Sequence, residues 1–235
     1  MAERPYTVLS CAVSLDGYLA GRAGEPLPLS GPADRERVDE VRAGCDAILV
    51  GATTVRHDDP RLLVRCPARR AARTALGLPA SPTRVVVTRS GALDGSARLF
   101  TDGEPAPLVY CATPALEQTR QRLGAVATVV GSDGGTGLRA VAEDLHGRGV
   151  RRLLVEGGGS VHTQFLTEDL ADELQLVVAP CFVGGGGAPR FVGDGCFPWS
   201  AQDRAPLAEV RRLDDVVLLR YTLSARSRAE PAEEV

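Results

Sequence analysis

The sequence predicts an α/β fold with a mixed, mostly parallel central sheet. Short apolar runs alternate with helix-like segments along most of the chain, which is the pattern of strands joined by crossover helices. Near the C-terminus, two strand-like runs flank Asp214-Asp215, which indicates an antiparallel hairpin. We expect a single domain over residues 1–223 and a polar, disordered tail over residues 224–235.

Nine apolar runs are strand candidates, because short apolar runs between turn-forming residues are typical of buried strands. In chain order they are Tyr6 to Val13, Ala47 to Val50, Arg84 to Thr88, Leu108 to Cys111, Val126 to Val130, Leu153 to Glu156, Leu174 to Ala179, Leu207 to Arg212 and Val216 to Thr222. Helices are expected to begin near Pro32, Pro114, Gly137 and Ser160. The third has a core-facing stripe at helical spacing, formed by Leu138, Val141, Ala142 and Leu145. The stretch from Cys66 to Pro82 is rich in Arg, Ala and Pro and is interpreted as a surface loop.

Composition excludes several classes of function. The 235 residues carry a net charge of −3 and few aromatic side chains, which argues against nucleic acid as a partner. No run of eighteen apolar residues occurs and the N-terminus lacks a signal-peptide core, so we expect no membrane span and a cytoplasmic protein. The six cysteines form no C-x-x-C pair, which favours buried free thiols, and no metal-ligand spacing is present.

The chain contains no lysine, so its 27 Lys and Arg positions are all arginine. This excludes chemistry that depends on a Schiff-base lysine or a P-loop lysine. Any phosphate recognition must therefore rest on arginines, backbone N–H groups and hydroxyls.

A glycine-rich turn is the most informative motif. An apolar run ends in Glu156, and Gly157, Gly158, Gly159 and Ser160 lead into a helix-like segment. Glycines let the backbone approach a ligand closely, and a helix start offers free N–H groups that suit a phosphate. A plain strand-to-helix connection explains the same pattern, and this segment alone leaves both interpretations open.

A second motif follows the strand at residues 47–50. Gly51 comes first, then Thr53 and Thr54, and then Asp58-Asp59 before a proline. The hydroxyls suit either the cap of a short helix or the amide or phosphate of a cofactor. Adjacent carboxylates beside arginines suggest recognition of a polar substrate.

Two glycine-containing motifs and two arginines are weaker candidates. Ser14-Leu15-Asp16-Gly17 is typical of a simple turn, although small neighbours there would admit a flat ring. Gly184 to Gly187 follow a strand, which suggests a bulge or a close ligand approach. Arg42 and Arg65 each end an apolar segment, but most arginines are solvated surface residues.

The order of these segments resembles the riboflavin-biosynthesis pyrimidine reductase family, the reductase half of a bifunctional deaminase–reductase. The shared motifs are S-L-D-G, V-R-A-x-x-D-A-I-L-V-G-x-x-T-V-x-x-D-D-P-R-L-x-V-R, L-L-V-E-G-G-G, D-E-L-x-L-x-V-A-P and G-G-x-x-A-P. They span Tyr6 to about Leu223, whereas the H-x-E and P-C-x-x-C motifs of the deaminase half do not occur. The resemblance implies a dihydrofolate-reductase-like three-layer fold and, by analogy, a homodimer.

The resemblance also implies an activity and a set of site residues. The family reduces 5-amino-6-(5-phosphoribosylamino)uracil to its ribitylamino form with NADPH, by hydride transfer to ribose C1′. Together with the motifs above, it predicts cofactor contacts at Ala12, Gly51, Thr53, Thr54, Asp58, Arg89, Gly157, Gly158, Gly159, Ser160 and Val161, within a segment that reaches Gln164. It predicts substrate contacts at Arg42, Leu62, Arg65 and Glu156, the two arginines holding the 5-phosphate. Asp58 and Glu156 are the catalytic candidates.

The chain departs from the family where substrate recognition is expected. Pro26-Leu27-Pro28 replace polar contacts that help to hold the substrate, and His57 replaces a small or aliphatic residue. These changes affect substrate identity more than cofactor identity. The alternatives are therefore a pterin or dihydrofolate reductase on the same fold and an NADP(H)-binding protein without turnover.

Overall fold

The computed structural model describes residues 3–22, 25, 27–132 and 137–228. In this part of the chain, one sheet carries helices on both faces. Its strands are β1 (Tyr6–Ser14), β2 (Ala47–Gly51), β3 (Thr83–Thr88), β4 (Leu108–Ala112), β5 (Thr128–Ser132), β6 (Arg152–Gly157), β7 (Glu173–Ala179), β8 (Leu207–Leu213) and β9 (Val216–Thr222). The helices are α1 (Pro32–Ala43), α2 (Ala52–Asp58), α3 (Pro67–Ala75), α4 (Arg98–Thr101), α5 (Leu116–Leu123), α6 (Leu138–Gly147) and α7 (Gly159–Thr167).

The strand order is β5-β4-β3-β2-β6-β1-β7-β9-β8. Strands β1 to β7 pair in parallel, whereas β9 is antiparallel to both of its neighbours. The predicted mixed, mostly parallel sheet with a C-terminal hairpin is confirmed. This topology brings the carboxyl ends of β1, β2, β3 and β6 to one edge, where ligands of open α/β sheets bind.

The central strands are apolar along their whole length because helices cover both of their faces. Leu49 and Val155 pack towards α6 and α7, while the adjacent Ile48 and Leu154 pack towards α2 and α5. The predicted stripe of α6 is buried at all four positions. Among the described residues, no helix is long and apolar enough to cross a bilayer.

The prediction of a surface loop from Cys66 to Pro82 is wrong. Residues 67–75 form α3, because Ala and Arg favour helices and Pro67 occupies the first turn, where its missing N–H costs nothing. Arg73 of this helix is buried, and its guanidinium donates to the carbonyl oxygens of Ala43, Cys45 and Pro79. Arg73 therefore joins α3 to the C-terminal end of α1.

Structure continues past the predicted domain boundary at residue 223. A 3-10 helix covers Ala225–Arg228, and Ser224 Oγ donates to Asp172 Oδ1 at 2.6 Å. The remainder of the predicted tail, residues 229–235, lies outside the described residues. Ser224 and the buried Asp172 account for this extension, since their hydrogen bond joins the segment to the start of β7.

Candidate active site

A cleft of about 2000 Å³ opens at the carboxyl ends of the parallel strands. Its wall combines the end of β1, the β2–α2 connection, the end of β3, the β6–α7 turn and residues 187–193. The predicted site residues in this wall are Ala12, Gly51, Thr53, Thr54, Asp58, Arg65, Arg89, Glu156, Gly158, Gly159, Ser160 and Val161. Motifs that are far apart in the sequence thus face a common space.

Three predicted site residues do not line the cleft. Leu62 is only 2% exposed and packs in the core beside Val55. Gly157 lies behind the wall, and Arg42 lies behind Glu156. In the described structure, these three positions therefore support the wall rather than line it.

Glu156 projects into the cleft because of a β-bulge and an arginine. Strand β2 pairs Leu49 with Val155 but Val50 with Gly157, so Glu156 has no partner on that side, and such bulges redirect a side chain. Arg42 donates from Nε to Glu156 Oε1 at 2.7 Å and from Nη2 to Oε2 at 2.6 Å. Its Nη1 donates to the Leu63 carbonyl at 3.2 Å. Every nitrogen of Arg42 is therefore engaged, and its forked geometry fixes the carboxylate.

The glycines of the β6–α7 turn have separate roles. Gly157 has φ +95°, and a Cβ there would lie 2.4 Å from His162 Nε2; a Cβ on Gly159 would lie 2.2 Å from the Arg190 carbonyl oxygen. The Gly158 N–H already donates to Thr54 Oγ1 at 3.1 Å. In the described structure, the N–H groups of Gly159 and Ser160 at the start of α7 have no acceptor, so this helix terminus suits an anion.

His162 is a wall residue that motif analysis did not single out. Its side chain is fully buried beside Phe191, and neither ring nitrogen has a hydrogen-bond partner among the described residues. Burial lowers the pKa of His162 to about 4, so the imidazole is neutral at physiological pH. Its position three residues after Gly159 in the first turn of α7 was the available signal.

Asp58 ends α2 and faces the cleft without a fixed partner. In the part of the chain that is described, it has neither a hydrogen bond nor an ion pair from another side chain. Partial burial raises the pKa of Asp58 above its usual range, and the charge of nearby His57 opposes this shift. The two predicted catalytic carboxylates therefore differ, since only Glu156 is paired with a cation.

Two exposed arginines flank the end of β3. Arg89 follows the strand directly, and Arg56 of α2 donates to the Ala92 carbonyl at 3.2 Å and to Thr53 Oγ1 at 3.2 Å. Both line the cleft together with Ser90. Two guanidinium groups and a hydroxyl at a strand end are suited to a phosphate group.

Arg65 lies elsewhere in the wall, next to α1. Its backbone N–H donates to Asp39 Oδ1, and the Cys66 N–H donates to Asp39 Oδ2 at 3.1 Å. Asp39 is buried, so it anchors the backbone while the Arg65 side chain remains exposed. Unlike Arg42, Arg65 has a guanidinium that is available to an anion.

The S-L-D-G turn holds the glycine-rich loop at the cleft rim. Asp16 accepts hydrogen bonds from Ser14 Oγ at 2.6 Å and from the Gly184 N–H at 2.8 Å. These bonds, led by the one from Ser14, lower the pKa of Asp16 to about 2. Further along, Arg190 stacks on Tyr18 with its guanidinium carbon 4.6 Å from the ring centroid. The turn therefore has a structural role, because Asp16 fixes the backbone of the glycine-rich loop.

A buried polar network lies below the β1 end of the cleft and was missed by motif analysis. Arg37 Nε donates to Asp34 Oδ1 at 2.8 Å, its Nη1 donates to Gln175 Oε1, and its Nη2 donates to Ser10 Oγ at 3.4 Å. Ser10, Asp34 and Arg37 line the cleft, as does Cys11. Burial raises the pKa of the Cys11 thiol, so it does not serve as a thiolate nucleophile. The i,i+3 spacing of Asp34 and Arg37 was a weak signal, because the partners come from β1 and β7.

The loop whose sequence differs from the family pattern borders the same end of the cleft through Leu27. Leu27 lines the cleft and Ser30 Oγ donates to Asp34 Oδ2, whereas Pro26 lies outside the described residues. His57 also lines the cleft. Among the described side chains, no group of three or more His, Cys, Asp and Glu residues could hold a metal ion.

Comparisons with known proteins agree with the fold and the cleft. The model of the RibD C-terminal domain family matches residues 5–219. The chain is 38% identical over 187 residues to the 2,5-diamino-6-ribosylamino-4(3H)-pyrimidinone 5′-phosphate reductase of Archaeoglobus fulgidus, covering 79% of this chain and 85% of that protein. A pyrimidine reductase-like protein from Corynebacterium diphtheriae superposes with a TM-score of 0.81 at 26% identity, covering 93% of this chain and 91% of the other. Dihydrofolate reductase from Enterococcus faecalis superposes with a TM-score of 0.50 at 13% identity over 92% and 95%, a likeness of fold alone.

The family match and the named relatives define an oxidoreductase, and its fold is dihydrofolate-reductase-like. Within that class, the chain belongs to the riboflavin-biosynthesis pyrimidine reductases, the RibD C-terminal domain family. The resemblance found in the sequence motifs is confirmed.

Proposed function

We propose that the protein uses NADPH to reduce a ribosylamino-pyrimidine 5′-phosphate at ribose C1′. The observation that carries the proposal is the pairing of two features in the cleft: the Glu156 carboxylate fixed by Arg42, and the adjacent free N–H groups at the start of α7. The first suits the hydroxyl and amino groups of the substrate, and the second suits a cofactor phosphate.

Two substrates satisfy this proposal. The family resemblance favours 5-amino-6-(5-phosphoribosylamino)uracil, whereas the similarity to the Archaeoglobus reductase favours 2,5-diamino-6-ribosylamino-4(3H)-pyrimidinone 5′-phosphate. Both have the ribosylamino phosphate, so Arg65 is the proposed phosphate ligand in either case. The two compounds differ at ring position 2, and a direct comparison of their turnover would identify the substrate.

The proposed chemistry needs one hydride and one proton in addition to ring opening. Proton transfer from the substituent nitrogen to the ring oxygen opens the ribose and leaves an imine at C1′. Bound NADPH would supply the hydride for C1′, and a proton at the nitrogen would complete the ribitylamino product. The protein residues orient the substrate and move the protons, and we assign substrate contact to Glu156 and proton delivery to Asp58.

The test is an assay with NADPH and each candidate substrate. Loss of nicotinamide absorbance should accompany a product that has gained two hydrogens, with the ribosylamino pyrimidines preferred over dihydrofolate and pterins. Oxidation of NADPH only with dihydrofolate or a pterin would favour the alternative reductase. Tight NADPH binding without turnover on any substrate would favour a binding protein.

Cofactor preference gives a separate prediction. Replacing Arg89 with Ala should raise the KM for NADPH at least about tenfold, because an arginine at this strand end would bind the 2′-phosphate. The KM for NADH should change by less than about twofold, since NADH lacks that phosphate. Steady-state kinetics with both cofactors provide the measurement, and equal effects on both would contradict the 2′-phosphate role. Arg122→Ala is the control, because Arg122 carries the same charge nearby and is absent from the wall.

A homodimer is proposed from the sheet face formed by β7, β9 and β8. On β7, Leu174, Leu176 and Val178 are only partly buried, whereas the polar Glu173 and Gln175 are buried. Register places Val217 beside Val178 and Leu219 beside Leu176, which extends an apolar surface to the sheet edge. Exposed apolar surface of this kind suits a second copy of the chain.

Disruption of this face should produce monomers. Val210, which is 59% exposed on β8, pairs with Leu219, so Val210→Glu would bury a charge in the dimer. Light scattering should then show the monomer mass, while Leu76→Glu on the 78% exposed end of α3 should leave the dimer intact. A wild-type monomer would overturn the proposal.

We also propose a cytoplasmic location, which suits the six free cysteines, although Cys181 and Cys196 are exposed rather than buried.

A further inference from the structure

The Arg37 network has features that a purely structural ion pair does not need. The Arg37 side chain is 6% exposed and lies in the cleft wall between α1 and β1. A guanidinium has five N–H donors, and Asp34, Gln175 and Ser10 accept from three of them. Among the described residues, the other two N–H groups have no acceptor. Because Arg37 lines the cleft, these donors are available to an acceptor that binds there in place of water.

The neighbours of Arg37 hold it in position and leave its outer side available. Asp34 Oδ1 balances the charge, and Ser30 Oγ donates to Asp34 Oδ2. Behind it, Gln175 Nε2 donates to Glu173 Oε1 at 2.7 Å, so the Gln175 amide is oriented with its oxygen towards Arg37. The Ser10 hydroxyl accepts from Arg37 and has its own proton to donate. Two kinds of donor therefore converge on the same part of the wall.

The charge balance around Arg37 differs from that at the proposed anion-binding positions, because Arg37 is paired with Asp34. Ser10 and Arg37 line the cleft, as do Leu19, Ala20 and Leu27, which offer small or apolar surface, and Asp34 balances the charge of Arg37. Arg65 and the start of α7 occupy other elements of the wall. The chemistry of this end therefore fits a neutral heterocycle with a carbonyl oxygen rather than a phosphate.

We propose that Arg37 and Ser10 recognise the carbonyl edge of the pyrimidine ring, and that Arg37 is a specificity determinant of the reductase. The proposal rests on the proposed function, since it assigns the ring end of that substrate to this part of the cleft. Asp34 and Gln175 are positioning residues, because they act through the Arg37 guanidinium. The network gives the chain a ring-recognition group without a lysine.

The test separates ring binding from phosphate binding with two fragment probes. Calorimetry would measure the binding affinity of 5,6-diaminouracil, which has the ring alone, and of ribose 5-phosphate, which has the sugar phosphate alone. Arg37→Gln should weaken the binding of 5,6-diaminouracil at least about tenfold, which is the loss expected when hydrogen bonds from a charged donor are removed. Ser10→Ala should weaken it about threefold, as for one neutral hydrogen bond. Ribose 5-phosphate should bind each variant within about twofold of wild type, since neither change removes a proposed phosphate contact.

The controls guard against loss of fold and loss of net charge. Arg70→Gln removes an exposed arginine of α3 that does not line the cleft and should leave both fragments unaffected. If Arg37→Gln does not fold, Asp34→Asn with Arg37→Gln removes the pair without leaving an unpaired carboxylate. Equal weakening of both fragments, unchanged binding of 5,6-diaminouracil, or no binding of it to the wild-type chain at millimolar concentration would overturn the proposal. Loss of NADPH binding by the wild-type chain would instead count against the proposed function, because neither fragment measurement uses the cofactor.

Discussion

Replacing Glu156 with Gln is expected to lower kcat at least about tenfold, because the carboxylate is the proposed contact to the reacting part of the substrate. The amide keeps the shape but loses the charge, and only one of its two polar atoms can accept from Arg42. The bulge and the bidentate pair that aim this side chain into the cleft should keep it there in the variant. NADPH affinity, measured by fluorescence titration, should change by less than about threefold, since the proposed cofactor donors are on α7.

Arg42 provides the matched test of this assignment. Because all its nitrogens are engaged by Glu156 and Leu63, Arg42→Met should act through Glu156 and lower kcat by a similar factor. A double-mutant cycle should then show that the double variant is no slower than the slower single variant. A direct phosphate role predicts a different result, namely additive losses and weaker ribose 5-phosphate binding in Arg42→Met. Arg65→Gln is the contrasting variant, because its loss should appear in ribose 5-phosphate affinity.

The cost to stability must be separated from the cost to turnover. The Arg42 and Glu156 side chains are 12% and 15% exposed, so removing one partner leaves a poorly solvated charge. Arg42→Met is therefore expected to destabilise the fold by about 3 kcal/mol, whereas the neutral Glu156→Gln with Arg42 retained costs less. Urea unfolding of each variant measures this directly. Kinetics are then compared at a temperature where all variants are folded.

Sequence patterns predicted the sheet because strand length, apolar content and turn residues are local properties. Every predicted strand is present, although β5 begins at Thr128 rather than Val126, since Val126 and Ala127 complete the turn after α5. The loop prediction at residues 66–82 was wrong because the side chains of α3 that face the protein are Arg69 and Arg73, and arginines were interpreted as a sign of exposure. Local composition therefore predicted the strands, but it missed α3 and also the short helices α2 and α4, which contribute Val55 and Leu99 to the core.

The candidate site was predicted where its residues adjoin glycines or hydroxyls at strand ends. What the sequence lacked was information on which side chains pair with one another. Arg42 was expected at the phosphate, but its nearest acceptor is Glu156, which lies 114 residues away. Arg37 was missed, and the burial of His162 within the predicted cofactor segment was not foreseen, because their environment comes from other elements: Gln175 on β7 for the first, and Gly157 and Phe191 for the second. Long-range pairing of this kind leaves no periodic signal in the sequence.

Asp58→Asn is expected to lower kcat at least about tenfold and to change its pH dependence, because Asp58 is the proposed proton donor. Partial burial raises the pKa of Asp58, so its carboxyl group remains protonated to a higher pH than an ordinary aspartate. A donor is active in its protonated form. Wild-type kcat should therefore be constant below the pKa and fall about tenfold per pH unit above it, while Asp58→Asn should show no such decrease.

The different environments of Asp58 and Glu156 explain why Asp58 is the proposed proton donor. Environments that separate two carboxylates commonly separate their roles, and here one is paired with a guanidinium while the other is partly desolvated and unpaired among the described residues. His57→Gln tests the electrostatic contribution to the pKa of Asp58, because the charge of His57 opposes the upward shift of that pKa. Its removal should move the decrease in kcat to higher pH. A decrease that persists in Asp58→Asn, or that moves to lower pH in His57→Gln, would show that the proton comes from another group or from water.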